Sequence, residues 1–374
     1  MHVPFVDLEA QYQSMKDELD QAINDAVKGF NFIRGKEVTR FEEAFGRMMG
    51  LPHVVATGNG TDALFIALKV LGIGPGDEVI TPAFSCIPSA EVITLCHAKP
   101  VFADVHPETY TLNPDRIEHH ITPKTKAIIA VHIFGQAAHI EEIRSICDRH
   151  NLFLIEDCAQ AHGTEMNGRF AGTFGHASAF SFYPTKNLGA YGDAGCFATS
   201  DPELAEKARR FANHGALQKD DHVFEGFNSR MDTLQAAILL TKLPHLASWN
   251  AKRRDNANLY HAMLEGIGDI ITPKERPQST HTFHIYAIRT RERDALKAFL
   301  QDRGIQTMVH YPYALHTLPA YRHLAHARED FPVADRLSNE LLSLPVYPEI
   351  TEEQLRYVSA AIQDFYRGRN GKNQ

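Results

Sequence analysis

The sequence predicts an α/β protein built on a mostly parallel sheet, with a smaller α+β domain after it. Three observations carry that expectation. From His53 onward, short apolar or β-branched runs alternate with helical ones, the pattern of a sheet covered on both faces. Leu152–Ile155 is apolar throughout, as a strand buried on both sides is. After Pro273 the rhythm shifts to two strand-like runs flanking one helix.

Taken in order, the apolar positions Leu8, Tyr12, Met15, Leu19, Ile23 and Val27 recur every three or four residues and predict one amphipathic helix over Leu8–Val27. Phe30–Gly35 is a turn with exposed aromatics, and Val38–Met49 a second helix with Phe41, Phe45 and Met48 on one side. Strands are predicted at His53–Thr57, Glu78–Thr81, Pro100–Asp104, Ala127–His132, Phe153–Asp157, Ala177–Phe182 and Gly195–Thr199. Helices are predicted between them at Thr61–Leu71, Ser89–Cys96, Pro114–Ile121, Ile140–His150 and Pro202–Ala212. Asp220–Phe227 is a charged loop. Asp232–Leu246 is a Leu/Ala-rich helix that continues, more polar, through Ala247–Leu264. Strands at His281–Thr290 and Gln306–Val309 flank a helix at Arg293–Arg303, and Asp335–Leu342 and Glu352–Tyr366 are closing helices. Arg367–Gln374 is polar and expected to fray. The reading divides the chain into a large α/β domain, residues 1–249, and a small α+β domain, residues 250–374, joined by the long helix.

Composition narrows the function. The 374 residues carry 38 basic and 46 acidic side chains, a formal charge of −8, which argues against general nucleic-acid binding. No window approaches a membrane span, and the N-terminus lacks a basic stretch followed by an apolar run. The five cysteines are scattered and never form a Cys-x-x-Cys pair, which suggests reduced thiols, no metal site, and the cytoplasm.

Three stretches carry chemistry. Gly58-Asn59-Gly60-Thr61-Asp62 follows a strand and opens a helix, where backbone N–H groups can bind an anion and Thr61 can add a hydroxyl. A plain capped turn would read the same way. Glu156-Asp157-Cys158-Ala159-Gln160 closes an apolar strand at the sheet end that lines ligand crevices in parallel folds. Asp157 there either binds a cationic nitrogen or is a satisfied buried acid or helix cap. Ser181-Phe182-Tyr183-Pro184-Thr185-Lys186-Asn187-Leu188-Gly189 leaves a strand, breaks at Pro184 and sets Lys186 before a glycine-rich turn. Held close to the sheet and partly desolvated, that lysine favours its neutral, nucleophilic form. A loop lysine on the surface is the bland alternative. Together, an anion cradle, an acid and a lysine 29 residues after it are the set that pyridoxal 5′-phosphate needs: anchor, ring-nitrogen partner and Schiff-base amine.

The chain resembles the DegT/DnrJ/EryC1/StrS family of pyridoxal-phosphate-dependent nucleotide-sugar aminotransferases over nearly its whole length. The resemblance rests on Phe5–Leu8, Phe32–Gly35, Asn59–Leu64, Gly74–Ile80, Glu156–Gln160, Ser181–Gly189, Phe227–Asp232 and His310–Pro312, in that order. It implies transferase fold type I, the aspartate-aminotransferase-like architecture, with a seven-stranded mostly parallel sheet. It implies that Lys186 anchors the cofactor covalently, Asp157 binds its pyridine nitrogen, Gln160 its phenolic oxygen, and Gly60, Thr61 and Ser181 its phosphate. Asn228 would reach the phosphate from the partner subunit, making a homodimer with two shared sites. Arg230 either grips an amino-donor carboxylate or pairs structurally with Asp232 or a nearby acid. Where the family commonly has an aromatic stacked on the ring, this chain has Cys86, which can cover the ring but not stack. Phe84 substitutes only if the strand register differs. His310 and Tyr311 would face the nucleotide-sugar, and His162 either supports Asp157 or is packed in the core.

The implied reaction is a two-stage transamination from L-glutamate to a nucleotide-linked keto-sugar, for a surface polysaccharide such as lipopolysaccharide O-antigen or for a glycosylated metabolite. The Tyr183–Gly189 flank with Gly192-Asp193-Ala194-Gly195 is similar to members acting on 3-keto sugars rather than 4-keto sugars. Uridine and thymidine bases both stay open, as do deoxyhexose and hexuronate acceptors. A 4-keto-sugar aminotransferase and a non-catalytic nucleotide-sugar sensor are the alternatives. Lys186 argues against the dehydratase branch, which has histidine at that place.

Overall fold

The computed structural model describes residues 1–370, with side chains through 368. Helices α1 (Leu8–Ser14), α2 (Lys16–Lys28) and α3 (Lys36–Met49) lead into a seven-stranded sheet. Its strands are β1 (His53–Thr57), β2 (Glu78–Pro82), β3 (Lys99–Ala103), β4 (Thr125–Val131) and β5 (Phe153–Asp157), then β8 (Ala177–Ser181) and β9 (Gly195–Thr199). Two-residue strands β6 (Glu165–Met166), β7 (Arg169–Phe170) and β10 (Ser279–Thr280) form a small separate sheet. Helices α4 (Gly60–Val70), α5 (Pro88–Leu95), α6 (Ile140–His150) and α7 (Pro202–Phe211) connect the main strands. Helices α8 (Thr233–Lys242) and α9 (Leu246–Leu264) follow. The remainder pairs β11 (Tyr286–Arg289) with β12 (Leu341–Leu344), alongside α10 (Arg293–Gln301), α11 (Pro332–Glu340) and α12 (Glu352–Asn370).

The main sheet runs β1-β9-β8-β5-β4-β2-β3, and β9 is antiparallel to both its neighbours while the other pairs are parallel. Strand alternation sorts the side chains into two cores. Ile129, Ile155, Ala177 and Ala179 pack with α4 and α5. Ile128, Ala130 and Leu154 pack on the opposite face with α6. The same alternation puts Asp157 and Ser181 on the α4 side. The parallel ends of β4, β5 and β8 therefore open beside the N-terminus of α4, and this positions the site. A knot of Phe41, Phe45, Phe180 and Phe182, edge to face, holds the exit of β8.

Several predicted elements change. The first helix breaks at Met15, with φ −140° and ψ 27°. Pro114–Ile121 is two 3-10 turns, Pro114–Arg116 and Glu118–His120. The helix predicted over Asp232–Leu246 stops at Lys242, and a 3-10 turn at Leu243–His245 carries Pro244, which has no N–H to continue the ladder. The strand predicted at His281–Thr290 is regular only over Tyr286–Arg289, because Thr282 and Ile285 donate instead to the carbonyls of Gly135 and Phe134. Gln306–Val309 forms no strand; Met308 bridges Ser343, and Gln306 N donates to Val3 O at 2.9 Å. The helix predicted over Asp335–Leu342 ends at Glu340, and Leu341–Leu344 is a strand. A short apolar run buried on both faces has no period that separates the two outcomes. Helix α12 carries regular structure through Asn370, past the expected fraying at Arg367, and the rest of that tail lies outside the described residues. Val3 bridges Ile305, tying the N-terminus to the C-terminal half. No described helix is long and apolar enough to cross a membrane.

Candidate active site

The anion turn is built by close packing. Asn59 caps α4, its side chain accepting from Asp62 N at 2.8 Å. That leaves the N–H groups of Gly60 and Thr61 without an acceptor among the described residues. They sit at the positive end of an 11-residue helix. A Cβ on Gly60 would fall 2.7 Å from Ser181 Cβ, so the helix end lies directly against the exit of β8. Gly195 permits the approach from β9, since a Cβ there would meet Asn59 C at 2.3 Å. Gly60, Thr61 and Ser181 therefore share one cradle.

Asp157 ends β5 and is 5% exposed. Its Oδ1 accepts from Ala159 N at 3.0 Å, and its other oxygen makes no hydrogen bond among the described residues. Burial raises its pKa, while the Ala159 N–H and then the Lys186 charge work against that rise. Lys186 stands in a loop whose ends are joined by Ala190 N donating to Phe182 O at 2.8 Å. Burial lowers the pKa of its amine, and Cys86 and Asp157 oppose the shift. The amine makes no hydrogen bond or ion pair among the described residues. It forms no ion pair with the nearby acid, so burial favours the neutral, nucleophilic form of the amine, and the carboxylate keeps an oxygen for a cationic nitrogen.

Above this pair, Gln160 Oε1 accepts from Phe134 N at 2.6 Å and its Nε2 donates to the Tyr311 hydroxyl at 2.8 Å. That hydroxyl also lies near the Cys86 thiol. Cys86 is exposed to the cleft. Phe84 is buried and meets Tyr311 edge to face at 6.1 Å, so it is not turned to the cleft. His310 bonds Ser343 Oγ through Nδ1 at 2.9 Å, and burial lowers its pKa to about 4. The structure thus gathers Gly60, Thr61, Ser181, Asp157, Lys186, Cys86, Gln160, Tyr311 and His310.

It does not bring Asn228 or Arg230 to the Lys186 amine of the same chain. Asn228 is exposed on a loop bridged to Asn213. Its neighbour Ser229 accepts from Gly58 N at 3.0 Å and donates to Asp62 at 2.6 Å. Arg230 donates to Asn213 Oδ1 at 3.3 Å in a cleft of about 130 Å³ that also holds Arg34, Arg209 and Glu42. The ion pair with Asp232 does not form. His162 lies between the rings of Phe180 and Phe182 with neither nitrogen in a well-formed hydrogen bond, and burial lowers its pKa to about 3. It is a core histidine and makes no hydrogen bond to Asp157.

Two residues without an assigned role join the site. Asn187, next to Lys186, donates to Asn250 Oδ1 and Thr282 O, so its own Oδ1 accepts from His284 Nδ1 at 3.1 Å. A histidine within a predicted strand gave little signal for this. His132, Glu156 and Cys158 lie close enough to suggest a metal, but His132 and Glu156 are bonded to each other and to backbone N–H groups. Ala138 N donates to His132 Nδ1, so Nε2 carries the proton to Glu156, whose oxygens also accept from Gly172, Phe174 and Gly175.

Residues 13–363 match the model of the DegT/DnrJ/EryC1/StrS aminotransferase family. The chain is 46% identical to the "Pleiotropic regulatory protein" of Geobacillus stearothermophilus, covering 98% of this chain and 99% of that one. It is 40% identical to the dTDP-3-amino-3,4,6-trideoxy-alpha-D-glucose transaminase of Streptomyces venezuelae, over 97% and 96% of the two chains. Among solved structures, S. venezuelae DesV in complex with a ketimine intermediate superposes with a TM-score of 0.96 at 40% identity, covering 98% of each chain.

Proposed function

The chain belongs to the DegT/DnrJ/EryC1/StrS aminotransferase family, and we propose that it moves an amino group from L-glutamate to C3 of a dTDP- or UDP-linked keto-sugar. It is a pyridoxal-phosphate-dependent transaminase. The observation that carries the reading is the unpaired, partly desolvated Lys186 amine beside Asp157 and the Gly60–Thr61 turn.

The residues fit the cofactor group by group. The free N–H groups of Gly60 and Thr61 and the Ser181 hydroxyl suit a phosphate dianion. The free oxygen of Asp157 suits a protonated ring nitrogen, and Gln160 Nε2 has a second hydrogen for a phenolic oxygen. Cys86 would cover the ring face in place of an aromatic. When bound, pyridoxal phosphate supplies the electron sink that makes the donor's α-proton acidic. Lys186 Nζ then removes that proton, because burial disfavours its ammonium, and in the return half delivers one to C3 of the sugar. His310 and Tyr311, on the C-terminal part, wall the cleft on the sugar side.

We also read the active unit as a homodimer. Phe30, Phe32 and Ile33 are exposed together, as is Phe227 beside Asn228, a surface suited to a second copy. Asn228 would then complete the partner's phosphate site, with Arg230 as the candidate for the amino-donor carboxylate. Five free thiols favour a reducing, cytoplasmic setting. The division into residues 1–249 and 250–374 falls within α9. Preference for C3 over C4 rests on the Lys186 flank and the 3-amino relative. The product serves an amino-sugar route, towards a surface polysaccharide such as O-antigen or a glycosylated metabolite. A sensor that binds nucleotide-sugar without turnover is the second reading, favoured by the regulatory name of the Geobacillus relative.

One experiment separates them. Purified protein given pyridoxal phosphate should turn yellow, and borohydride should fix the label on Lys186. With glutamate and a panel of dTDP- and UDP-keto-sugars, mass analysis should show a 3-amino product, and Lys186→Ala should give none. A colourless wild-type protein, or one that binds sugar without turnover, overturns the enzyme reading.

A further inference from the structure

Helix α8 ends in a lysine that the reaction does not use. Lys242 is fully buried, and no carboxylate lies within ion-pairing distance among the described residues. Its ammonium donates to Gly189 O at 2.9 Å and Gln11 Oε1 at 3.0 Å, and sits 4.2 Å from the centre of the Tyr191 ring. A cation without a contacting counter-ion is costly to bury, and a methionine would fill the same space without that cost.

Its position shows what the charge holds. Gly189 is the last residue of the turn that starts at Tyr183, and it presses on that start: a Cβ there would meet Pro184 O at 2.3 Å. Lys186 lies midway, its N–H donating to Tyr183 O at 2.8 Å. Gln235, seven residues before Lys242 and so on the same face of α8, accepts from Tyr191 N at 2.9 Å. One helix face therefore grips the outgoing limb of the loop at two points, and only the Lys242 grip is charged.

We propose that Lys242 is a positioning residue for Lys186: its buried ammonium clamps the Gly189 carbonyl and so fixes the loop from which the Lys186 amine projects. The inference rests on the role given to Lys186 above. The groups facing the ammonium are the Tyr191 ring and Gln11, with Glu349 at longer range raising its pKa. Burial nevertheless lowers that pKa to about 8, so the clamp loosens in mild alkali.

The test is hydrogen exchange on the full-length chain without cofactor, with thermal melting and cofactor capture read in parallel. In Lys242→Met, exchange at the Lys186 and Ala190 amides should quicken about tenfold, the loss of one charged hydrogen bond. The melting temperature should hold or rise. Pyridoxal phosphate capture should slow by a similar factor, and Lys242→Arg should restore part of it. In the wild type, exchange at these two amides, corrected for intrinsic rate, should rise above pH 8, and in Lys242→Met that rise should vanish. Unchanged exchange in the loop overturns the proposal, as does faster exchange across the whole chain with a lower melting temperature, the mark of a packing residue. A wild type that captures no cofactor defeats the transaminase reading alone, since the exchange arm still decides the clamp.

Discussion

Gly60 and Ser181 are packed so closely that a single methyl group on the glycine would fall 2.7 Å from the serine Cβ and 3.0 Å from its Cα. The contact joins the N-terminus of α4 to the exit of β8 and so shapes the turn proposed to hold the phosphate. Gly60→Ala should therefore fail in two ways. Overpacking should lower stability by about 1–3 kcal/mol, read by denaturant melting. Spreading of the two elements should also weaken cofactor binding by about tenfold or more, read by equilibrium titration of the yellow colour. A variant that binds pyridoxal phosphate as tightly as the wild type would place the phosphate elsewhere.

Asp157 shows the opposite relation between stability and function. Burial raises its pKa, so its carboxylate is held at a cost in the unloaded chain. Asp157→Asn keeps an oxygen for the Ala159 N–H and removes the buried charge. The unloaded variant should melt no lower than the wild type at pH 7. Turnover should nonetheless fall by about 10²–10³-fold, because a neutral amide cannot stabilise a protonated ring nitrogen. Equal loss of melting temperature and activity would instead make Asp157 structural.

The cradle, the acid and the amine were legible in the sequence because each sits at a strand exit with its own local signature. What was not legible was long-range partnership. Gln160 and Tyr311 are 151 residues apart and Asn187 and His284 are 97 apart, so their hydrogen bonds exist only once the fold brings them together. Arg230 could be read as a ligand or an ion-pair residue, but its direction is set by Asn213, which no motif announced. Elements failed for similar reasons. Nothing at Met15 breaks a helix locally, and Leu341–Leu344 becomes a strand because β11 is there to pair with it.

Four buried or half-buried histidines predict a pH dependence of stability. Burial lowers His162 and His281 to about 3 and His139 and His310 to about 4. Between those values and the ordinary 6.5, the unfolded chain binds protons that the folded chain does not. Stability therefore rises with pH across that window and is lost as the pH falls from about 6.5 towards 4. Each group contributes a slope of up to about 1.4 kcal/mol per pH unit. Carboxylates that lose partners in acid act in the same direction, so the histidine share needs a variant. His162→Phe suits it, because the ring sits between Phe180 and Phe182. Denaturant melts at pH 7 should match the wild type within about 1 kcal/mol. Melts from pH 6.5 to 4.5 should show a slope shallower by about one proton. A variant with the wild-type slope would mean that His162 is already protonated in the fold, which its apolar surroundings oppose.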